Sequence, residues 1–263
     1  NTLFANDYHE LVDSPLIASP SLQHDFYMVN DIKFYLWFQG ECKPDWNRLK
    51  TDFTKFTEKQ LEHFKAFPTD AYHFIFQITP YTTYHGVEHK ASTVIALGPS
   101  YDVMEELYTE LLGVSSHELY HAWNIKSIRP KEMHPYDYSR ENYSKLGFVC
   151  EGVTTYLGDQ FLLKSGVFDV DQYLLELNKS IHRHFDNFGR FSMSVADASF
   201  DTWLDGYVAG APNRKTSIYV EGSMIALICD VKIMKATNNL ASINDVMRNL
   251  YEKYALKGVG YTE

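Results

Sequence analysis

The sequence predicts an α+β fold, with a mixed sheet in the first hundred residues followed by a mainly helical half. Three observations predict it. Stretches with period-two alternation and aromatic or β-branched residues, such as YHFIFQIT at Tyr72–Thr79, are confined to the N-terminal part. From Tyr101 onward, apolar residues recur at helical spacing instead. No internal repeat or low-complexity segment divides the chain, so residues 1–100 and 101–263 read as two halves of one unit.

Residues 1–21 are expected to be irregular, with Pro15 and Pro20 interrupting any pattern. Asp25–Val29 and Ile32–Gln39 alternate as strands. Trp46–Phe67 places Leu49, Phe53, Phe56, Leu61 and Phe64 on one helical face. Tyr72–Thr79 and Ser92–Leu97 complete the strands. Helices are expected over Tyr101–Trp123, Glu151–Lys164, Val170–His184, Thr202–Tyr207, Tyr219–Ala236 and Ile243–Leu256, punctuated by Gly166, Gly189 and Gly210.

With 263 residues and 45% hydrophobic content, the chain can bury a substantial core. The formal net charge of −10, with no more than three positive residues in the most basic stretch (Lys126 to Lys131), argues against a nucleic-acid partner. Cys42, Cys150 and Cys229 are far apart and lack CxxC spacing, so no cysteine zinc site is expected. No apolar run is long enough to span a bilayer. The first residue is Asn1 rather than Met, and the chain is expected to be a piece of a longer protein.

The chemistry centres on His117-Glu118-Leu119-Tyr120-His121. On a helix, positions i and i+4 share a face, so both imidazoles can reach one metal while Glu118 is placed to take a proton from metal-bound water. Chance would supply only about 0.03 such motifs in a chain of this composition. The alternative is two histidines on a buried helix face. A third ligand must come from elsewhere. Glu151, in the run EGVTTY, begins a predicted helix, where helix electrostatics alone would also favour a carboxylate. Paired with the histidine motif it completes a His₂Glu set, which with a general base favours Zn²⁺ and leaves one position open. Tyr219 opens an apolar helix and by itself reads as ordinary packing.

The blocks HELYHAWNIKSIRP (His117–Pro130), EGVTTY (Glu151–Tyr156) and YVEGSMIALICD (Tyr219–Asp230) resemble the glycyl aminopeptidase family of gluzincin metallopeptidases. HGVEHKAST (His85–Thr93), DYHELVDSP (Asp7–Pro15) and SFDTWLDGY (Ser199–Tyr207) are similar to further family segments, in family order. The resemblance implies a thermolysin-like zincin catalytic domain, usually accompanied by an N-terminal β domain and a C-terminal PDZ-like domain. It places His117, His121 and Glu151 on the zinc ligands, Glu118 on the base and Tyr219 on a tyrosine that stabilises the oxyanion. By analogy with more distant aminopeptidases, it places Glu88 on a glutamate that binds the substrate's free α-amine. Two departures stand out: Glu221 replaces the family's lysine, and His85-Gly86-Val87-Glu88-His89 replaces Gly-Gly-Leu-Glu-His.

The expected function is therefore a zinc-dependent aminopeptidase that cleaves after small N-terminal residues (Gly or Ala), with a peptide as partner. A zinc endopeptidase with the same centre, and an inactive descendant that binds peptides, are the alternatives. The resemblance tilts the compartment toward the periplasm or secretion, leaving the cytoplasm open, and the oligomeric state is unspecified. His85 and His89 are not expected to form a second metal site, because Gly86 and strand-like flanks speak against a helix. His182 and His184 read as surface residues, and Lys126 and Arg129 as either helix-end charges or substrate contacts. The aromatic runs Phe34–Phe38 and Tyr72–Phe76 read as core rather than as a stacking platform.

Overall fold

A computed structural model describes residues 3–205 and 211–263. The chain forms two compact units, one running to Lys126 and taking in Phe161–Val167, the other comprising Ser127–Gln160 and Phe168–Glu263.

The first unit is built on a five-stranded mixed sheet. Its strands are β1 (Gln23–Val29), β2 (Ile32–Gln39), β3 (Ala71–Ile78), β4 (Thr83–Glu88) and β5 (Ser92–Gly98), in the order β1-β2-β3-β5-β4. The pairs β2–β3 and β3–β5 are parallel, while β1–β2 and β4–β5 are antiparallel. A parallel step needs a crossover, and α2 (Trp46–Phe64) supplies it between β2 and β3. Asp45 caps α2 by accepting from Arg48 N, and Lys65 ends it in the left-handed region, three residues short of the expected terminus.

Alternation turns Phe34, Leu36 and Phe38 of β2 and Tyr72, Phe74 and Phe76 of β3 into the core, against Leu49, Phe53, Phe56, Leu61 and Phe64 of α2. Phe38 stacks on Phe76 at 4.5 Å and Phe53 meets Phe74 edge-on at 5.1 Å. Each such buried ring contributes about 2 kcal/mol of hydrophobic stabilisation. The opposite face holds Tyr35, stacked on His73 at 4.6 Å, and Trp37, whose Nε1–H donates to His73 Nδ1 at 3.0 Å. Burial lowers the His73 pKa and so favours the neutral ring that this bond requires. The aromatic runs thus pack, as expected.

Two departures from expectation shape the site. β4 carries a histidine, a glycine and a glutamate and lies on the sheet's edge, so it lacks a buried alternating face, and the sequence pattern did not mark it as a strand. The zinc-motif helix α3 (Tyr108–Tyr120) starts seven residues later than expected. Residues 101–107 form turns in which Asp102 O accepts from both Glu105 N and Leu107 N. Arg48 draws this segment into tertiary contact, donating to Met104 O at 3.0 Å while its guanidinium covers the Tyr108 ring at 3.5 Å. A short helix, α1 (Tyr8–Val12), occupies the N-terminal stretch read as irregular.

The second unit is helical: α4 (Gly147–Lys164, as far as Gln160), α5 (Val170–Asp186), α6 (Val195–Phe200), α7 (Thr202–Asp205), α8 (Ile218–Ala236) and α9 (Ile243–Lys253). Residues 206 and 207 of the expected Thr202–Tyr207 helix, and the expected break at Gly210, lie outside the described residues. Helices α4 and α8 meet backbone to backbone at Gly152 and Gly222. A Cβ on Gly152 would stand 2.8 Å from Ser223 N and closer still to Gly222. Buried Asp230 of α8 accepts from Tyr156 OH at 2.7 Å and from Ile243 N at 2.8 Å, joining α4, α8 and α9.

Candidate metal centre

Helix α3 presents His117 and His121 on one face, and their Nε2 atoms converge to 2.9 Å with the rings at 83°. His121 is 1% exposed, and its Nδ1–H donates to Asn124 O at 2.6 Å. That bond fixes the tautomer and leaves the Nε2 lone pair for a metal. Two imidazole ligands of one tetrahedral zinc would sit about 3.3 Å apart, so the donor pair fits such an ion after a small relaxation. The residues after the motif explain themselves: Trp123 is fully buried, stacks on Phe64 at 4.6 Å and donates to Ala66 O, while Asn124 supplies the orienting carbonyl.

Glu118 is 4% exposed and points toward the sheet edge. Thr93 Oγ1 lies 3.2 Å from Glu118 Oε2 and 3.0 Å from Val87 O, so one hydroxyl links the carboxylate to β4 and β5. Tyr72 OH donates to Glu118 O at 3.1 Å, and burial together with the Glu118 charge pushes its pKa well above the ordinary value, keeping it a donor. Gly86 packs directly against Glu118: a Cβ there would stand 2.7 Å from Cδ and overlap Oε1. Glu88, two residues along β4, faces the same space. Donor atoms of Glu88, Glu118 and His121 all lie within 4.8 Å of one another. Two carboxylates this close favour a cation beside them.

The sequence-predicted residues divide between the units. His117, His121, Glu118 and Glu88 come together in the first, and Glu151 and Tyr219 belong to the second. Glu151 stands at the fifth residue of α4 rather than at its start, because the helix begins at Gly147, where Ser199 Oγ accepts from Phe148 N. The helix-terminus explanation for a carboxylate therefore weakens, since that effect fades beyond the first turn. Tyr219 is half-buried in the first turn of α8, behind its cap Ser217. Glu221 pairs with His184 Nδ1 at 2.7 Å. His184 is thus a partner of α8 rather than a plain surface residue, whereas His182 is exposed. His85 sits on β4, not on a helix. Lys126, just past the end of α3, is an ion-pair partner of Asp13.

Sequence reasoning did not find Thr93, Tyr72 or the carbonyl of Asn124. Only Gly86, a glycine amid strand-like residues, carried a signal of close backbone approach.

The arrangement of sheet and helices is that of the thermolysin-like zincin peptidases. A family model described as M61 glycyl aminopeptidase matches residues 110–225, the segment that holds the HELYHAWN, EGVTTY and YVEG blocks. The resemblance read from those blocks is borne out over this segment, which matches the glycyl aminopeptidase model. Among solved structures, an aminopeptidase N family protein from Idiomarina loihiensis is similar with 28% identity and a TM-score of 0.87, over 92% of this chain and 42% of that one. A mutant M1 zinc metallopeptidase from Deinococcus radiodurans, bound to a Tyr-Ser-Ala substrate, is similar in fold with 13% identity and a TM-score of 0.51, over 92% and 46%. Yeast LTA4 hydrolase is similar in fold with 12% identity and a TM-score of 0.55, over 91% and 34%. The chain spans less than half the length of these structures. A search of curated proteins finds no match. The comparisons point to a peptidase.

Proposed function

We propose that this chain is the catalytic domain of a zinc aminopeptidase that removes small N-terminal residues. The observation that carries the reading is the convergence of Glu88, Glu118 and His121 within 4.8 Å beside the edge strand of the sheet. A general base needs one carboxylate. A second one beside it has a use if the substrate brings a positive charge to the same place, as a free α-amine does.

In this reading His117, His121 and Glu151 hold the ion. Bound zinc supplies a Lewis acid for the scissile carbonyl and a water of lowered pKa. Glu118, held by Thr93 and pressed by Gly86, accepts the proton of the attacking water and passes it to the leaving amine. Tyr219 donates its hydroxyl to the developing oxyanion. Glu88 pairs with the substrate's ammonium group, which sets the cut one residue from the N-terminus. The preference for a small residue such as Gly rests on the description of the matching family as glycyl aminopeptidase, and Ala is the next smallest side chain.

The test is kcat/KM for matched free and N-acetylated peptides, with wild type and Glu88→Ala. The wild type should favour the free amine strongly, and Glu88→Ala should lose most of that preference. If the wild type cuts blocked peptides internally as fast as it trims free ones, an endopeptidase replaces this reading.

A further inference from the structure

The N-terminal segment is seated without apolar burial. No residue of α1 is buried, and Leu3, Phe4, Tyr8, Leu11 and Leu16 are all more than 60% exposed. Yet Asp13, the residue that closes α1, has only 13% of its side chain exposed. Its carboxylate makes three contacts to parts of the chain far away in sequence. Oδ1 accepts from Lys126 Nζ at 2.7 Å and lies 3.3 Å from His89 Nδ1, and Oδ2 accepts from Lys90 N at 2.8 Å. Burial alone would raise the Asp13 pKa, but the hydrogen bond from His89, the charge of Lys126 and the other donors outweigh it and bring the pKa down to about 2.

These partners are not scattered. His89 and Lys90 form the turn that leaves β4 directly after Glu88, closed by His89 N donating to Ser92 O at 2.9 Å. Lys126 follows the end of α3, and its backbone N–H donates to His121 O at 3.0 Å. One carboxylate thus joins the turn that carries Glu88 to the segment that leaves His121. β4 is an edge strand, hydrogen-bonded on one side to β5. Besides this clamp, the β5 ladder, the turn and the Thr93 hydroxyl on Val87 O restrain its backbone at the Glu88 end.

We infer that Asp13 is a positioning residue that clamps the Glu88 turn to the end of the zinc-motif helix, so that the N-terminal strap sets recognition of the substrate's α-amine. The inference rests on the aminopeptidase reading of Glu88 and deepens it. Asp13 touches no reacting group, so its loss should show in ground-state binding of free-amine substrates. The hydrolytic centre, fixed independently by Thr93 and Gly86, should be spared.

The experiment compares wild type, Asp13→Asn, Lys126→Met and Glu88→Ala on matched free and N-acetylated peptides, with zinc content and amide exchange measured on the same preparations. Asp13→Asn is nearly isosteric and retains an acceptor for Lys90 N, which protects folding. It should raise KM for free-amine peptides roughly tenfold while kcat stays within about twofold, the pattern of lost uniform binding. Zinc content should not change, and the His89 amide that closes the turn on Ser92 O should exchange faster. Lys126→Met should move the same parameters in the same direction. A wild type without free-amine preference overturns the aminopeptidase reading itself. A wild type with that preference, lost in Glu88→Ala but undiminished in Asp13→Asn, overturns the clamp alone. Equal loss in kcat and zinc content would likewise overturn it, as the mark of a merely structural carboxylate.

Discussion

Gly86→Ala should inactivate the proposed centre although it replaces neither a metal ligand nor the base. The added Cβ would stand 2.7 Å from Glu118 Cδ and overlap Oε1. Carbon atoms rest at about 3.5–4.0 Å, so the carboxylate must retreat by about 1 Å. It has little room to do so, being 4% exposed and held at Oε2 by Thr93. Gly86 does not occupy the left-handed region, so backbone strain adds nothing and the whole effect is steric. A misplacement of this size at a reacting group costs roughly 10²-fold in rate. The assay is kcat on a free-amine peptide, with zinc content and thermal midpoint measured alongside. The expected result is a kcat loss of that order, with zinc and fold retained. A variant with wild-type kcat and full zinc would show that Glu118 is not held where the reaction needs it, and the assignment of the base would fall.

Two further outcomes follow from packing and charge. Gly152→Ala would gain about 1 kcal/mol in helix propensity, but its Cβ would collide with the α8 backbone at Gly222 and Ser223. Overpacking should dominate, with a net loss of about 2 kcal/mol and a fall in Tm of roughly 6 °C, measured by calorimetry; a raised Tm would contradict the close crossing. Asp13 has its folded pKa lowered from 3.8 to about 2, so its contribution is present above pH 4 and lost as pH falls toward 2. Denaturant unfolding should find Asp13→Asn less stable than wild type by about 2 kcal/mol at pH 7, with the gap closing below pH 4; a pH-independent gap would refute the electrostatic origin.

The parts legible in the sequence were those whose physics is periodic. β2, β3 and α2 alternate or repeat as their burial requires, so their core residues could be named in advance. The zinc-motif helix was legible because i, i+4 spacing has one geometric meaning. β4 was not, since an edge strand that passes closely by the Glu118 carboxylate carries Gly86 and Glu88 instead of a buried alternating face. The late start of α3 was hidden because Arg48, more than fifty residues away, draws the preceding segment into turns. Asp13 looked like part of an irregular leader, and Lys126 and His89 like unrelated charges. Their meeting is tertiary and leaves no local pattern.

The proposed chemistry requires that the imidazoles of His117 and His121 hold a zinc ion and that Glu118 is the base beside it. The most direct measurement is zinc content and peptide turnover on the same preparation of Glu118→Gln. The amide keeps the size of the side chain and removes its capacity to accept the proton. The account predicts wild-type zinc content and turnover lowered by at least about 10²-fold. Near-normal turnover with zinc in place would contradict it.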